Sequence, residues 1–458
     1  MDRLHALDAL WLEMEHGGPP LAMGLVSILE GPPPPVAQVR EMVAARLADV
    51  PGMRWVVSRE HGVRRPQWAV TDEVDLRHHV RARHVASGAD SLDEFVSRLM
   101  EEPLDLSRPL WELTVARGLP EGRWALIWRL HHSVSDGIGA RTVMGHFFDL
   151  EPQGGMRLVE AASRGMLPRT STAEQVTPPR GILGQVAGVT RRAASGAVDA
   201  VRHLPTAGRV IVDATPRPPG SLTGTISERR RWVSATEDLT AAKAAARALD
   251  ARLNDLILAA VARGLHDLLS SRGEETDGRT VRCAVPVSTR PTLDSHADNR
   301  VSVAWADLPV GEETPEERIA AISRSTSWQK RAGTPLVGSA LLSLTDHLVP
   351  SPVQDVVVRH GTWVPAWFAE TLVTNVPGAP FPLYVMGRQL HHVHPVIPVD
   401  GHLRITVGLV SHDDTLGIGI TGDGTHARDV DVLLAGMSVG FREIEDAARD
   451  MSKGHGRL

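Results

Sequence analysis

The chain has 458 residues, more than one hydrophobic core ordinarily organises, so two domains with a site in the cleft between them are expected. Hydrophobic residues at 42% and charged residues at 23% exclude a disordered chain, and a formal net charge of −6 supplies no positive field to draw a nucleic acid backbone. The lone Cys283 excludes an internal disulfide and fits a reducing, cytoplasmic setting; in the apolar stretch Val281 to Val287 it is expected to be buried and inert.

Met1 to Glu15 alternates apolar residues with Asp2, Asp8, Glu13 and Glu15, whereas a signal peptide needs a basic start and an unbroken apolar stretch. No run approaches the ~18 apolar residues of a spanning helix. Residues 1–150 form a mixed α/β segment: the spacing predicts helices over Val36 to Ala48 and Ser91 to Glu101, and strands over Trp111 to Arg117 and Trp124 to Leu130. The last strand alternates cleanly, with Trp124, Leu126, Trp128 and Leu130 on one face and Ala125, Ile127 and Arg129 on the other. A helical stretch is expected from about Ile138 to Leu150. From 151 to 220 the composition turns to Pro, Gly, Ser, Thr and Arg, which marks an interdomain connection. Within it Ile182 to Leu204 has amphipathic spacing beside Arg191, Arg192 and Arg202, suited to a linker helix packed on the body or to a membrane surface. Residues 221–458 form a second α/β segment. Helices are predicted over Leu239 to Ala248 and Asn254 to Ser270, with Asn254 as N-cap. Strands are predicted over Arg282 to Val287, Val301 to Leu308, Glu370 to Asn375, Leu403 to Val410 and Leu416 to Thr421.

The densest polar cluster, His131-His132-Ser133-Val134-Ser135-Asp136-Gly137, has the form HHxxxDG and falls on a strand-to-helix loop. Continuing the alternation puts His132 on the face of Leu130 and His131 on the opposite one, so the two rings are expected to do different work. An imidazole, with an ordinary pKa of about 6.5, suits removal of a proton from a hydroxyl that attacks a carbonyl near neutral pH. Asp136 either orients that imidazole or anchors the loop, and Arg290 is the candidate partner for anchoring because a buried carboxylate needs a counter-charge. The same cluster admits a purely structural loop or a metal pair. Adjacent histidines on opposite faces chelate poorly and no third ligand is evident, so no metal is expected. His391, His392 and His394, with His402 nearby, also invite a metal reading, but without evident carboxylate or thiolate support they are expected to be exposed or interdomain histidines.

HHSVSDG resembles the active-site motif shared by chloramphenicol acetyltransferase-like enzymes, plant acyltransferases and peptide synthetase condensation domains. Further segments resemble the bacterial wax ester synthase/diacylglycerol acyltransferase family: Leu7-Asp8-Ala9-Leu10-Trp11-Leu12, Arg108-Pro109-Leu110-Trp111, Asn254-Asp255, Pro286-Val287-Ser288-Thr289-Arg290, and Asn375-Val376-Pro377-Gly378 followed by Pro382-Leu383-Tyr384. The resemblance runs from residue 7 to about 423. It implies an α/β fold of two chloramphenicol acetyltransferase-like lobes with the active-site channel between them. It also implies O-acyl transfer from a long-chain acyl-CoA to diacylglycerol or a fatty alcohol, with His132 as base and no Ser nucleophile. His131 and Gly137 would shape the loop, and Asp136 would hold it. Pro109, Leu110 and Trp111 would line or brace the acyl channel, and Asn254 and Asn375 would contact substrate from the second lobe, with Asp255 and Arg290 in support. Each has a structural alternative: Trp111 as core, Asn254 as helix cap, Asn375 to Gly378 as a turn. Acyl-CoA is then a substrate and no cofactor is expected; insoluble substrates imply peripheral contact with a membrane or lipid inclusion. Asp298, Thr374 and His412 depart from the family's Gly, Ser and Tyr, which leaves substrate preference open. The competing enzyme reading is a condensation-type reaction on a polyketide or peptide intermediate.

Overall fold

The structure is a computed structural model that describes residues 6–15, 18–50, 52–58, 66–85, 91–134, 145–164, 220–288, 301–332 and 369–455. Among them the strands are β1 Ala22–Leu29, β2 Trp55–Ser58, β3 Gln67–Val70, β4 Val80–His84, β5 Trp111–Arg117, β6 Trp124–His131, β7 Arg230–Asp238, β8 Thr280–Ser288, β9 Val301–Pro309, β10 Thr371–Val376, β11 Tyr384–Val385, β12 Arg388–Val396, β13 Ile405–His412 and β14 Thr415–Asp423. The helices are α1 Ala6–Glu15, α2 Val36–Arg46, α3 Leu76–His79, α4 Ser91–Glu101, α5 Leu158–Ser163, α6 Leu239–Ala248, α7 Leu253–Ser271, α8 Pro315–Ala332 and α9 Val430–His455. The Ile182 to Leu204 stretch lies outside the described residues.

Two six-stranded mixed sheets carry the fold, in the orders β11-β12-β1-β6-β5-β4 and β7-β14-β13-β10-β8-β9, with β2 and β3 as a separate hairpin. The first sheet is filled from both ends of the chain, because β12, far along in sequence, pairs onto β1 and carries β11 on its other edge. Its two faces are both covered. Trp124, Leu126, Trp128 and Leu130 of β6 join a core with Val39 and Val43 of α2, while Ala125 and Ile127 pack with Val96, Leu99 and Met100 of α4. The alternation predicted for this strand is therefore real, but it sorts residues between two buried layers and not between core and water. Arg129, on the α4 side, is buried; its Nη1 donates to the carbonyls of Leu99 and Glu102 at the end of α4, and its Nη2 to Glu112 at 2.6 Å. The second sheet is covered by α6, α7, α8 and α9 around one large apolar core.

Among the described residues, two of the ties between the sheets stand out. α4, from the first body, lays a polar stripe along β7, the edge strand of the second. Asp93 accepts the Ser234 N–H at 3.2 Å, Ser97 that of Trp232 at 2.8 Å, and Glu101 that of Arg230 at 2.9 Å. Four helical residues rise about 6 Å and two strand residues about 6.7 Å, so side chains at i, i+4 and i+8 meet every second strand amide. The stripe thereby satisfies and blocks an edge that would otherwise invite another strand. In the second tie, β12 lies across β14 at Gly417 and Gly419. A Cβ at Gly417 would sit 1.7 Å from the Val393 carbonyl oxygen, and one at Gly419 1.9 Å from that of Pro395. Only glycine permits that approach.

Most predicted boundaries lie within two residues of those observed, but the helix expected to reach Leu150 is not helical beyond Gly145, where Asp149 instead bridges Arg157 and Tyr384. Asn254 is a correction: α7 starts at Leu253 with Arg252 in the cap position, so Asn254 is already inside the first turn and does not cap the helix.

Candidate active site

β6 ends at His131, and the next residues form a tight turn in which the Val134 N–H donates to the His131 carbonyl at 3.0 Å. His132 and Ser133 occupy the two central positions of that turn. The His131 amide is held in turn by the Leu110 carbonyl at 3.0 Å, which ties the histidine to the Pro109-Leu110-Trp111 segment.

The two rings have different partners on one helix. His131 is wholly buried, with Nε2 2.5 Å from Glu15 Oε2 and Nδ1 2.7 Å from the Ser133 hydroxyl; the Ser133 N–H donates to Nδ1 at 3.1 Å. The half-buried His132 stacks on Trp11, with centroids 4.4 Å apart and planes at 20°. Trp11 and Glu15 are four residues apart on α1 and so share a face of that helix. Strand alternation predicts opposite sides of the sheet for the two rings. The strand stops at His131, and the turn carries His132 to the helix that also meets His131.

Pro109, Leu110 and Trp111 are buried beside the pair, with Trp111 opposite Leu130 in register. The indole donates to the Met53 carbonyl at 2.9 Å and stacks on His79 at 4.5 Å. These contacts brace β5 and β6, and none of the three residues lines the cavity described next. Asp255 is buried on α7, where it accepts from the Thr326 hydroxyl at 3.2 Å. Asn254 precedes it, and Asn375 stands on β10 opposite Leu409. Asp136, Gly137 and Arg290 lie outside the described residues.

A cavity of about 110 Å³ lies between the two sheets. Met23, Gly24 and Leu25 of β1 wall one side, and Val376, Gly378 and Val410 another. Ser411 and His412 are its polar exceptions. Burial pushes the His412 imidazole below its ordinary pKa, and the neutral ring donates Nε2–H to the Leu390 carbonyl at 3.3 Å. The cavity is thus an uncharged apolar space. Met23 pairs with Leu130 and Ala22 with His131, so the strand that walls the cavity runs alongside the one that ends in the histidines.

The histidines of β12 have separate roles. His391 lies 3.6 Å from Glu30, while His394 is buried with Nδ1 3.3 Å from the Ile418 carbonyl. Burial lowers both His392 and His394 to a pKa of about 4. Among the described residues no three His, Cys, Asp or Glu side chains come together as a metal site. Cys283 is fully buried, and its thiol is pushed far above the ordinary range by that burial.

Sequence reasoning overlooked two features. Glu15 was visible only as one acidic residue among several, although Trp11 and Glu15 at helical spacing were a usable signal. Gly436-Met437-Ser438-Val439-Gly440 matches the G-x-S-x-G form of a nucleophile elbow. It lies inside α9, not on a strand-to-helix turn, and the Ser438 hydroxyl is bonded to Glu237 at 2.5 Å. It is helix packing, not a nucleophile site.

The two-sheet fold is one shared with a wax ester synthase/diacylglycerol acyltransferase and with condensation domains. The wax ester synthase/diacylglycerol acyltransferase from Marinobacter aquaeolei VT8 matches with a TM-score of 0.71 at 22% identity, over 98% of this chain and 100% of that one. The first condensation domain of the calcium-dependent antibiotic synthetase matches with a TM-score of 0.61 at 17% identity, over 98% and 96%. The sequence narrows the class. The wax ester synthase/diacylglycerol acyltransferase catalytic domain matches residues 4–257, and the WS/DGAT C-terminal domain matches residues 297–445. A probable diacylglycerol O-acyltransferase of Mycobacterium tuberculosis H37Rv is 32% identical over 95% of this chain and 94% of its own length. The chain belongs to the wax ester synthase/diacylglycerol acyltransferase family and is an acyltransferase. No described helix is long and apolar enough to cross a membrane.

Proposed function

We propose that the protein transfers a long-chain acyl group from acyl-CoA to the hydroxyl of diacylglycerol or a fatty alcohol, giving triacylglycerol or wax ester. The observation that carries this reading is the uncharged apolar cavity walled by β1, the strand that pairs with the histidine-bearing β6. The end of an acyl chain gains free energy by leaving water for such a lining, and nothing charged has to be desolvated with it. His132 accepts the hydroxyl proton as the oxygen attacks the thioester carbonyl. The tetrahedral intermediate collapses by breaking the carbon–sulfur bond, and the departing thiolate takes the proton back from the imidazolium. Both substrates are bound together, so no covalent acyl-enzyme forms and no cofactor or metal takes part. Diacylglycerol is favoured as acceptor by the names of the mycobacterial relatives. The protein meets these insoluble substrates by reversible contact with a membrane or lipid inclusion.

The second reading, acyl transfer to a carrier-bound peptide or polyketide, is favoured by the likeness to condensation domains. The two family matches along the chain weigh against it. CoA release from palmitoyl-CoA, with dipalmitoylglycerol or hexadecanol, compared between wild type and His132→Ala, decides. Turnover lost in the variant supports the mechanism. A folded wild type that is silent with both acceptors sinks the substrate assignment.

A further inference from the structure

We propose that Glu15 is a positioning residue for acyl transfer: its carboxylate holds the Nε2 proton of His131 and so fixes the turn that presents His132. The proposal rests on the reading of His132 as the base. The tautomer follows from the geometry. A backbone N–H can only donate, so the Ser133 amide at 3.1 Å requires a lone pair on His131 Nδ1, and the neutral ring's proton sits on Nε2. Glu15 Oε2, 2.5 Å away, is its acceptor. The same oxygen takes the Leu21 N–H at 3.3 Å, so one buried carboxylate joins the end of α1, the approach to β1 and the end of β6.

The side chain of His131 accepts from the amide two residues on, which is how Asn and Asp lock turns. Here the locked turn carries His132. Without an acceptor at Nε2 the imidazole is released to the other tautomer, whose Nδ1–H opposes the Ser133 N–H and opens the turn. One helical turn before Glu15, Trp11 stacks on His132, so α1 holds the first histidine by charge and the second by its face. The ring of His131 is fully buried and Glu15 is 9% exposed, so water does not compete for the bond.

The test is kcat and KM for palmitoyl-CoA, at saturating dipalmitoylglycerol, for Glu15→Gln, Glu15→Met, His131→Ala and the Glu15→Met/His131→Ala double variant of the full chain. Gln keeps an oxygen acceptor and is expected to retain more than about a third of wild-type kcat, whereas Met fills the space without one and is expected to lose about tenfold or more. KM for palmitoyl-CoA should stay within about twofold, and the double variant should be no slower than the worse single one within about twofold, since both changes remove one interaction. Gln as slow as Met, a Met variant as fast as wild type, or losses that multiply in the double variant would each overturn the proposal. If Glu15→Met does not fold, nitrogen NMR of the wild-type imidazoles decides: a protonated Nε2 with a bare Nδ1 on His131 supports it, the reverse tautomer overturns it. An active His132→Ala would overturn the base reading and the proposal that rests on it, whereas a Glu15–His131 cycle that fails beside an inactive His132→Ala would overturn the proposal alone.

Discussion

The stripe of α4 on β7 makes a prediction whose size follows from the contacts. In Ser97→Ala the Trp232 N–H loses the hydroxyl that accepts it at 2.8 Å. No water replaces that hydroxyl, because Val96, Leu99, Met100 and Val396 pack with the fully buried Trp232. An orphaned buried amide costs about 1–3 kcal/mol, and alanine's better helix propensity returns about 0.5 kcal/mol, so the net loss is about 0.5–2.5 kcal/mol. Urea unfolding followed by tryptophan fluorescence should show a lower midpoint at unchanged slope. Ser452→Ala is the control. That hydroxyl, on an exposed residue of α9, bonds back to the Ala448 carbonyl, and its loss should be neutral or slightly favourable. If Ser97→Ala proves as stable as wild type, the amides of β7 do not depend on α4, and the edge-blocking argument fails.

Two further substitutions probe the same seam. Gly417→Ala places a Cβ against a backbone carbonyl that no rotamer change can move, so a loss of about 3 kcal/mol or more is expected in the same unfolding assay; a variant within about 0.5 kcal/mol of wild type would show that β12 and β14 are not in backbone contact. The fully buried His394 is held to a pKa of about 4 by desolvation first and His392 second, so the native state excludes a proton that the unfolded chain accepts below its ordinary 6.5. Its contribution is therefore undiminished above pH 6.5, and stability falls as pH drops from 6.5 towards 4, by up to about 3 kcal/mol over the window. His394→Gln, which does not titrate, should flatten the dependence by about 1 kcal/mol per pH unit between pH 6 and 4.5; an unchanged slope would refute the assignment.

What the sequence revealed about this fold depended on whether the physical cause was local. α4, β5 and α6 have their predicted limits because amphipathic spacing or a strand pattern is written into adjacent residues. The histidine motif was legible for the same reason, as a polar cluster closing a strand whose alternation was visible. β1 gave no such signal, because its residues are largely buried on both faces and show no alternation of apolar and polar positions. The pairing of β12 with β1 was also hidden, since register between strands so far apart leaves no trace in either one alone. Glu15 lies 116 residues before its partner His131, and its role became visible only when α1 met β6. Periodicity shows which face of an element is buried, but not what it is buried against.

That distinction bears on how the two ties relate to the chemistry. The histidine turn is fixed within the first body, by the Leu110 carbonyl and by Glu15 and Trp11 of α1. The cavity is not: Met23 to Leu25 come from the first sheet, while Val376 and Val410 belong to the second and Gly378 follows β10. Its width is therefore set by how closely the sheets are drawn together, and the contacts that draw them include the α4 stripe and the glycine crossing of β14. It follows that loosening the seam and loosening the turn should separate in kinetics. Ser97→Ala acts on the space for the acyl chain and should raise KM for palmitoyl-CoA more than it lowers kcat, whereas Glu15→Met leaves that space alone and should do the reverse.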